Sequence, residues 1–490
     1  MSLRLNLFIW VFLAYVGISL FFIFQLGLTE QEAYYWLWAK NLDWGYFEHP
    51  PLQAWVTSFS TFLFGDEKWV VRLPAFFGNL ATLGIFYRWV QTKWDQKTAE
   101  LCAFLLLSSV TFTMGSVIAL PDSLAVPLGL GTMLYAAKAQ TRRAGLLLGL
   151  ALLAKWTVVF MIPGLIYEFY RKNLLHWKEM LPVALITLSL QAPVIWWNYQ
   201  HQWVSFRFHL YERHAHEWHS FSTYLENSAR FFLSQSFSLG LVTTVLILLI
   251  FILIKNGQFE IKSAVQWRSV AAWTLPGLLM VFVSAVQGQL RFYWTFLSLL
   301  PLVAMSAYLA VRCFPERFLA IRNATIAVIL LHWTCAIVAG FYPVGSFIED
   351  LFLLKTDLRH SPMGEFSGWQ QWYDETVLPS GLVTKKTALI GSDLHVAARF
   401  AWTIRKYKDL RAIGVAGTEI NEFQLWPQPE LPQYTQAIFF GDNRYDRLSN
   451  FDGDCAHAVE WKISSSTVLN HPIKNIYWGF CDQLSPRNFN

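Results

Sequence analysis

Charge is scarce in this 490-residue chain: Asp, Glu, Lys and Arg together make up 14% of it, against 54% hydrophobic and 17% aromatic residues. With a mean hydropathy of +0.34, that poverty of charge excludes an ordinary soluble protein and makes a bilayer the natural solvent. Cysteine is scarce too, five residues in all. Cys102, Cys313 and Cys335 fall in apolar stretches, where a thiol behaves as a small hydrophobe. Cys455 and Cys481 are free to pair if their segment faces an oxidising compartment. The segment after Pro343 lacks a phosphate-cradling glycine loop, a Rossmann glycine pattern and zinc-type cysteine spacing, which excludes the common nucleotide and zinc sites there. No small-residue cleavage site follows the first apolar stretch, 5–28, so it reads as a retained helix and not as a signal peptide. The formal charge is only +5, with Lys and Arg gathered in short clusters between apolar runs. Such clusters orient membrane helices, and no nucleic-acid partner is expected.

What recurs instead is the apolar run. A hydrocarbon core about 30 Å thick needs about 20 apolar residues per helix, and such runs fall at 6–28, 70–90, 99–118, 121–138, 144–170, 180–197, 231–254, 269–286, 292–311 and 323–343. With Arg4 inside, the basic clusters Arg88/Lys93/Lys97, Lys138/Arg142/Arg143, Arg171/Lys172/Lys178, Lys255/Lys262/Arg268 and Arg312/Arg317/Arg322 all fall on the cytoplasmic side on one condition. Segment 144–170 has basic clusters at both ends, so it must enter and return as two short helices that turn near Lys155-Trp156. The count is then about eleven membrane segments with an external C-terminus. A lysine at membrane depth is costly, and a broken helix lining a cavity accommodates it. Two domains follow: 1–343 in the membrane and 344–490 outside. The second reads as α/β, with strands at 386–393, 411–415, 437–440 and 459–463 and a helix at 394–407.

The external segments hold the chemistry. Loop 29–69 opens with Glu30, Glu32, Tyr34 and Tyr35 and continues to Glu48-His49-Pro50-Pro51. Interfacial anchoring explains the aromatic residues; carboxylates and an imidazole beside an apolar boundary point to function. Asp122, after Pro121, either caps its helix or joins a site. Placed near one leaflet with Glu32, Glu48, His49, Arg72, Lys155 and Arg291, it would complete a pocket of bases and cations suited to phosphate. The cations would stabilise a phosphate leaving group, and a carboxylate would take a proton from an acceptor hydroxyl. Segment 198–230 carries His201, His209, His214, His216 and His219. Their spacing follows no strong metal motif and favours a solvated interfacial helix; Glu48 with His214 and His216 is the one candidate set for a divalent metal.

At these residues the chain resembles the C-type (GT-C) glycosyltransferases of the protein O-mannosyltransferase superfamily, particularly the bacterial branch that includes the lipid A aminoarabinose transferase. The resemblance rests on the acidic-Ala-Tyr-Tyr-Trp stretch, Tyr46-Phe47-Glu48-His49-Pro50-Pro51, Pro121-Asp122, Lys155 within 152–157, and the 291–294 turn, in that order. Gly368-Trp369, Ala397-Ala398-Arg399-Phe400 and Gln424-Leu425-Trp426-Pro427 add similar words in the tail. The resemblance implies a polytopic GT-C fold in a bacterial inner membrane with the C-terminal domain in the periplasm. It implies transfer of a sugar from a polyprenyl-phosphate carrier to lipid A, another glycan or protein, with inversion and no required cofactor. Carried over by position, Glu32 is the general base with Glu30 as nearby substitute, and Asp122 is a second acid. His49, Lys155 and Arg291 contact phosphate; Arg72 joins them from the reading of the pocket residues above, and Tyr34, Tyr35 and Glu48 line the pocket. Many relatives have Asp where this chain has Gln31, which is not a base. A flippase for lipid-linked sugars would also need many helices and a phosphate cavity, but no clear internal repeat is present; an inactive binding homologue is the reading that Gln31 motivates.

Overall fold

The computed structural model describes residues 3–210, 220–255, 264–287, 291–340, 368–384, 386–406, 412–415, 434–442, 455–457, 459–468 and 471–484. The chain forms two compact units: Met1–Leu20, Asp43–Ser60 and Arg72–Thr334 make the first, and Phe21–Leu42, Thr61–Val71 and Cys335–Asn490 the second. The division differs from a simple cut at 343, because two N-terminal pieces group with the C-terminal part.

The expected apolar segments are helices. In chain order they are α1 Leu3–Gln25, α2 Glu30–Lys40, α3 Leu52–Phe64, α4 Lys68–Lys93, α5 Gln96–Leu107, α6 Val110–Gly115, α7 Asp122–Ala137, α8 Thr141–Ala154, α9 Ile162–Arg171, α10 Trp177–Gln200, α11 Val204–Leu210, α12 Phe221–Leu239, α13 Leu241–Lys255, α14 Ala264–Val286, α15 Phe296–Cys313 and α16 Phe318–Gly340. Among the described residues, six helices are long and apolar enough to cross a bilayer alone, and α12–α13 form a seventh candidate bent by 116°. Of the remaining expected segments, 121–138 is one helix of 16 residues, and 144–170 and 99–118 are interrupted. Segment 144–170 breaks at Lys155, as the charge pattern requires, while 99–118 breaks at Ser108-Ser109, where one unbroken span was expected.

That second break meets the α12–α13 bend. Ser109 Oγ donates to the Ser238 carbonyl at 2.7 Å, and the Thr111 and Ser238 hydroxyls lie 2.6 Å apart. Gly240 has φ +86°, and a Cβ there would stand 2.7 Å from the Ser108 carbonyl oxygen. Backbone groups released by a helix break inside a membrane must find partners in neighbouring segments, and here the first break supplies the Ser109 hydroxyl to a carbonyl of the second. Elsewhere small residues set into a core of Leu, Phe and Trp let helices approach: Ala103 on α5, Ala151 and Ala154 on α8, and Ala304, Ala307 and Ala310 on α15, all buried. A buried ion pair, Lys93 Nζ to Glu168 Oε1 at 2.5 Å, joins α4 to α9, and Lys93 also donates to Ser269 of α14 at 2.7 Å.

In the second unit the expected strands and helix form a five-stranded mixed sheet. Its strands are β1 Thr387–Gly391, β2 Ala412–Val415, β3 Gln436–Asp442, β4 Trp461–Val468 and β5 His471–Cys481, in the order β2-β1-β3-β5-β4, with α17 Leu394–Ile404 following β1. The first three neighbours are parallel and the rest antiparallel. β5 escapes the sequence reading because Pro472, Lys474, Asn475 and Gly479 dilute its pattern. One sheet face is covered by Trp369, Trp372, Tyr373, Phe400, Phe440 and Trp478. Gly391 admits α17, since a Cβ there would lie 2.9 Å from Ala397. Cys455 and Cys481 form a disulfide with Cα atoms 5.8 Å apart.

Candidate active site

In the first unit, α7 starts abruptly after Pro121, which places the Asp122 carboxylate in the first helical turn, where the helix dipole favours an anion. The carboxylate does not cap the helix. Pro121 holds the cap position with no side-chain bond, and Asp122 instead accepts from Lys155 Nζ at 2.6 and 2.7 Å through its two oxygens. Close packing of α4 fixes the start of α7: a Cβ on Gly78 would stand 2.1 Å from the Ser123 carbonyl oxygen.

Lys155 is 4% exposed, and it sits where α8 ends. Its own backbone is extended, φ −157° and ψ 130°, before a 3-10 turn at Trp156–Met161. Its ammonium lies 5.5 and 5.8 Å from the ring centres of Tyr293 and Trp294, within the range of cation–π attraction. Those rings project from the 3-10 turn Phe292–Thr295, which follows the exposed Arg291, and the Thr295 hydroxyl donates to Gln235 of α12.

One residue on from Lys155, Trp156 packs on Phe206 and His209 of α11, with ring centres 4.4 and 5.6 Å away. His209 Nε2 donates to the Glu48 carbonyl at 2.8 Å, its ring lies 6.5 Å from that of His49, and Ser205 Oγ donates to the Tyr46 carbonyl at 3.0 Å. The base of this loop is set by Asp43, whose carboxylate accepts the Trp197 indole at 2.7 Å. The Lys155-Trp156 joint therefore connects the Asp122 ion pair to the Glu48-His49 loop, and the site offers a carboxylate, an ammonium and imidazoles between aromatic walls. Arg72 is fully buried on α4.

With that geometry in view, comparison with known proteins is decisive for the fold. Over 98% of both chains the structure superposes on the crystal structure of ArnT from Cupriavidus metallidurans in the apo state, with a TM-score of 0.63 and 12% identity. The chain has the GT-C fold of ArnT. The same ArnT bound to undecaprenyl phosphate matches with a TM-score of 0.62 and 12% identity, over 97% of this chain and 98% of that one. The GT-C resemblance extends to sequence: residues 48–197 match the family described as dolichyl-phosphate-mannose-protein mannosyltransferase, a stretch that includes Glu48, His49, Arg72, Asp122 and Lys155. The chain is 24% identical over 296 residues to the lipid A galacturonosyltransferase RgtD of Rhizobium johnstonii, covering 57% of this chain and 58% of that protein. It is 25% identical over 187 residues to undecaprenyl phosphate-alpha-4-amino-4-deoxy-L-arabinose arabinosyl transferase 1 of Proteus mirabilis, covering 32% and 33%. The chain thus spans less than two thirds of the length of either curated relative, and it is a polytopic helical membrane protein resembling bacterial GT-C glycosyltransferases.

The remaining GT-C candidates, Glu30, Glu32, Tyr34 and Tyr35, lie on α2 and belong to the second unit. Thr29 caps α2 and Glu32 completes a capping box, its carboxylate accepting the Thr29 amide at 2.8 Å while the Glu32 amide donates to Thr29 Oγ1 at 3.1 Å. Glu30 is buried and paired with Lys474, 3.4 Å away. Tyr34 faces the ring of His395 at 5.9 Å, and His395 Nδ1 lies 3.0 Å from Asp393. At the other end of α2, the Trp36 indole donates to Asp66 at 2.8 Å, whose backbone carbonyl accepts Arg405 Nε at 3.0 Å. Burial draws the Arg405 guanidinium below its ordinary value, with Glu67 and Asp66 opposing the shift.

One expectation changes. His201 and His209 do not lie on a solvated helix: His201 stacks on Trp197 at 4.1 Å and His209 is the clamp on Glu48. His214 and His216, the histidines of the candidate metal set with Glu48, lie outside the described residues; among those described no group of three His, Cys, Asp or Glu is placed to hold a metal. Trp156, Tyr293 and Trp294 escaped notice as individual side chains, since aromatic residues in a chain this rich in them carry little signal until a lysine is seen against them.

Proposed function

We propose that the chain transfers a sugar from a polyprenyl-phosphate carrier to a lipid A-type or other cell-envelope acceptor, with inversion at the anomeric carbon. The observation that carries this reading is the pairing of buried Lys155 with Asp122, the lysine walled by Tyr293 and Trp294 and joined through Trp156 to the Glu48-His49 loop. A lysine held at an apolar boundary by a partly exposed carboxylate can turn toward a phosphate oxygen, and the aromatic walls exclude water that would weaken that contact. The relatives support the substrate class: one is named for transferring galacturonic acid to lipid A, one carries undecaprenyl phosphate in its name, and a structure of similar fold holds undecaprenyl phosphate.

In the reaction, the acceptor oxygen forms a bond to the anomeric carbon as the carbon–oxygen bond to phosphate breaks, and the acceptor proton passes to a carboxylate. Glu32 is the proposed base, since Glu30 is committed to Lys474, and Asp122 positions Lys155 and the acceptor. Lys155, His49, Arg72 and Arg291 take the departing phosphate, and Tyr34, Tyr35 and Glu48 are proposed substrate contacts. No cofactor is required. The chain would span the inner membrane with the C-terminal sheet in the periplasm, a placement supported by the Cys455–Cys481 disulfide, which persists in oxidising compartments.

The test is transfer from a panel of radiolabelled polyprenyl-phosphate sugars to envelope lipids by the purified protein. Glu32→Gln, Asp122→Asn and Lys155→Met are each expected to lower the rate about 100-fold or more while the protein stays folded. Retention of anomeric configuration, or wild-type rates in all three variants, would overturn the mechanism.

A further inference from the structure

The C-terminal sheet places its parallel strands in the order β2-β1-β3. The chain leaves β1 through α17 to reach β2 on one side, and β3 lies on the other, so the strand order reverses at β1. Open α/β sheets hold their ligands beyond the carboxyl ends of the strands at that reversal. In this protein the end of β3 is Asp442, fully buried, and its carboxylate meets Lys474 Nζ at 3.1 Å. Lys474 stands two residues before Ile476, the β5 partner of Asp442, and therefore on the same sheet face. The second carboxylate on Lys474 belongs to Glu30, the first residue of α2.

Lys474 is built in. It is 1% exposed, its ammonium lies 4.9 Å from the ring centre of Trp369, and Gly368, at φ +95°, leaves the room its Cβ needs. The Gly368 carbonyl is itself held by Ser466 Oγ at 2.8 Å. Glu30 and Glu32 share one helical turn, so anchoring Glu30 fixes the rotation of α2 about its axis and with it the directions of Glu32, Tyr34 and Tyr35. A buried ion pair is a poor source of stability compared with apolar packing, and its best-attested use is to specify one register.

We propose that Lys474 is a positioning residue for the reaction: the C-terminal sheet grips α2 at its strand ends, where such sheets otherwise grip a ligand, and Lys474 sets the orientation of the helix that carries the proposed base. The kinetic part of the test rests on the transferase reading; the structural part does not. In the full-length protein in lipid nanodiscs, amide exchange across residues 30–40 and kcat for sugar transfer are measured for wild type, Lys474→Met and the uncharged triple variant Glu30→Gln/Lys474→Met/Asp442→Asn. Lys474→Met is expected to speed exchange in α2 and to lower kcat by about tenfold or more, with the triple variant recovering both to within about threefold. Unchanged α2 exchange in Lys474→Met overturns the proposal. So does a triple variant with restored exchange and no restored kcat, which would mean that Glu30 acts on the substrate directly. Wild-type inactivity across all donors would defeat the transferase reading alone, leaving exchange to decide this one.

Discussion

At the residue scale, the first unit depends on two glycines for different reasons. Gly78 is needed for closeness, since any Cβ would overlap the Ser123 carbonyl at the start of α7. Gly78→Ala is expected to cost about 1–3 kcal/mol by overpacking and to reduce transfer as well, because Asp122 is the next residue back along the same turn. Thermal unfolding and a rate assay on one sample check both. A lowered melting temperature with an unchanged rate would separate the packing from the site. Gly240 is needed for its backbone as well as for closeness, as φ +86° is strained for any side chain and the Ser108 carbonyl leaves no room. Asp122 and Lys155 were legible as residues of interest because ionisable groups are rare in apolar stretches. Their pairing was not, since 33 positions of sequence separate them and only the fold closes that distance.

At the element scale, charge placement predicted the broken helix at Lys155, because two basic clusters could not both lie inside otherwise. The break at Ser108-Ser109 has no charge signal. Serine and threonine are tolerated in membrane helices, and what distinguishes these is that they meet another break, in α12–α13, 129 residues away. Ser109→Ala together with Thr111→Val removes both hydroxyl links to Ser238 and is expected to lower stability by roughly 1–3 kcal/mol, read as a drop in melting temperature. No change would mean that the two breaks do not support one another. The C-terminal strands were legible where β-branched and aromatic residues dominate, and β5 was missed because Lys474, which interrupts its pattern, serves an ion pair and not the sheet.

At the scale of the whole molecule, the disulfide closes a loop of 26 residues in the second unit. Replacing both cysteines by serine is expected to remove about 3.5 kcal/mol from that unit by the chain-entropy estimate. Limited proteolysis should then cut the C-terminal segment faster, while the membrane helices stay protected; equal cutting rates with and without the bond would assign the sheet its stability from elsewhere. The two units are also discontinuous in sequence, which composition could not reveal. Apolar runs stop at residue 343 and invite a cut there, but α2 is drawn into the second unit by side chains on α17 and β5 that lie hundreds of residues downstream.

The same link has a consequence in time. Glu30 and Lys474 are separated by 444 residues, so at about 5–20 residues per second a ribosome needs roughly 20 to 90 s to make the second after the first. Throughout that interval α2 has emerged without its lysine and without the sheet that grips it. The sheet that completes α2 is therefore made long after α2 itself, so a chain interrupted before β5 would hold its proposed base unset.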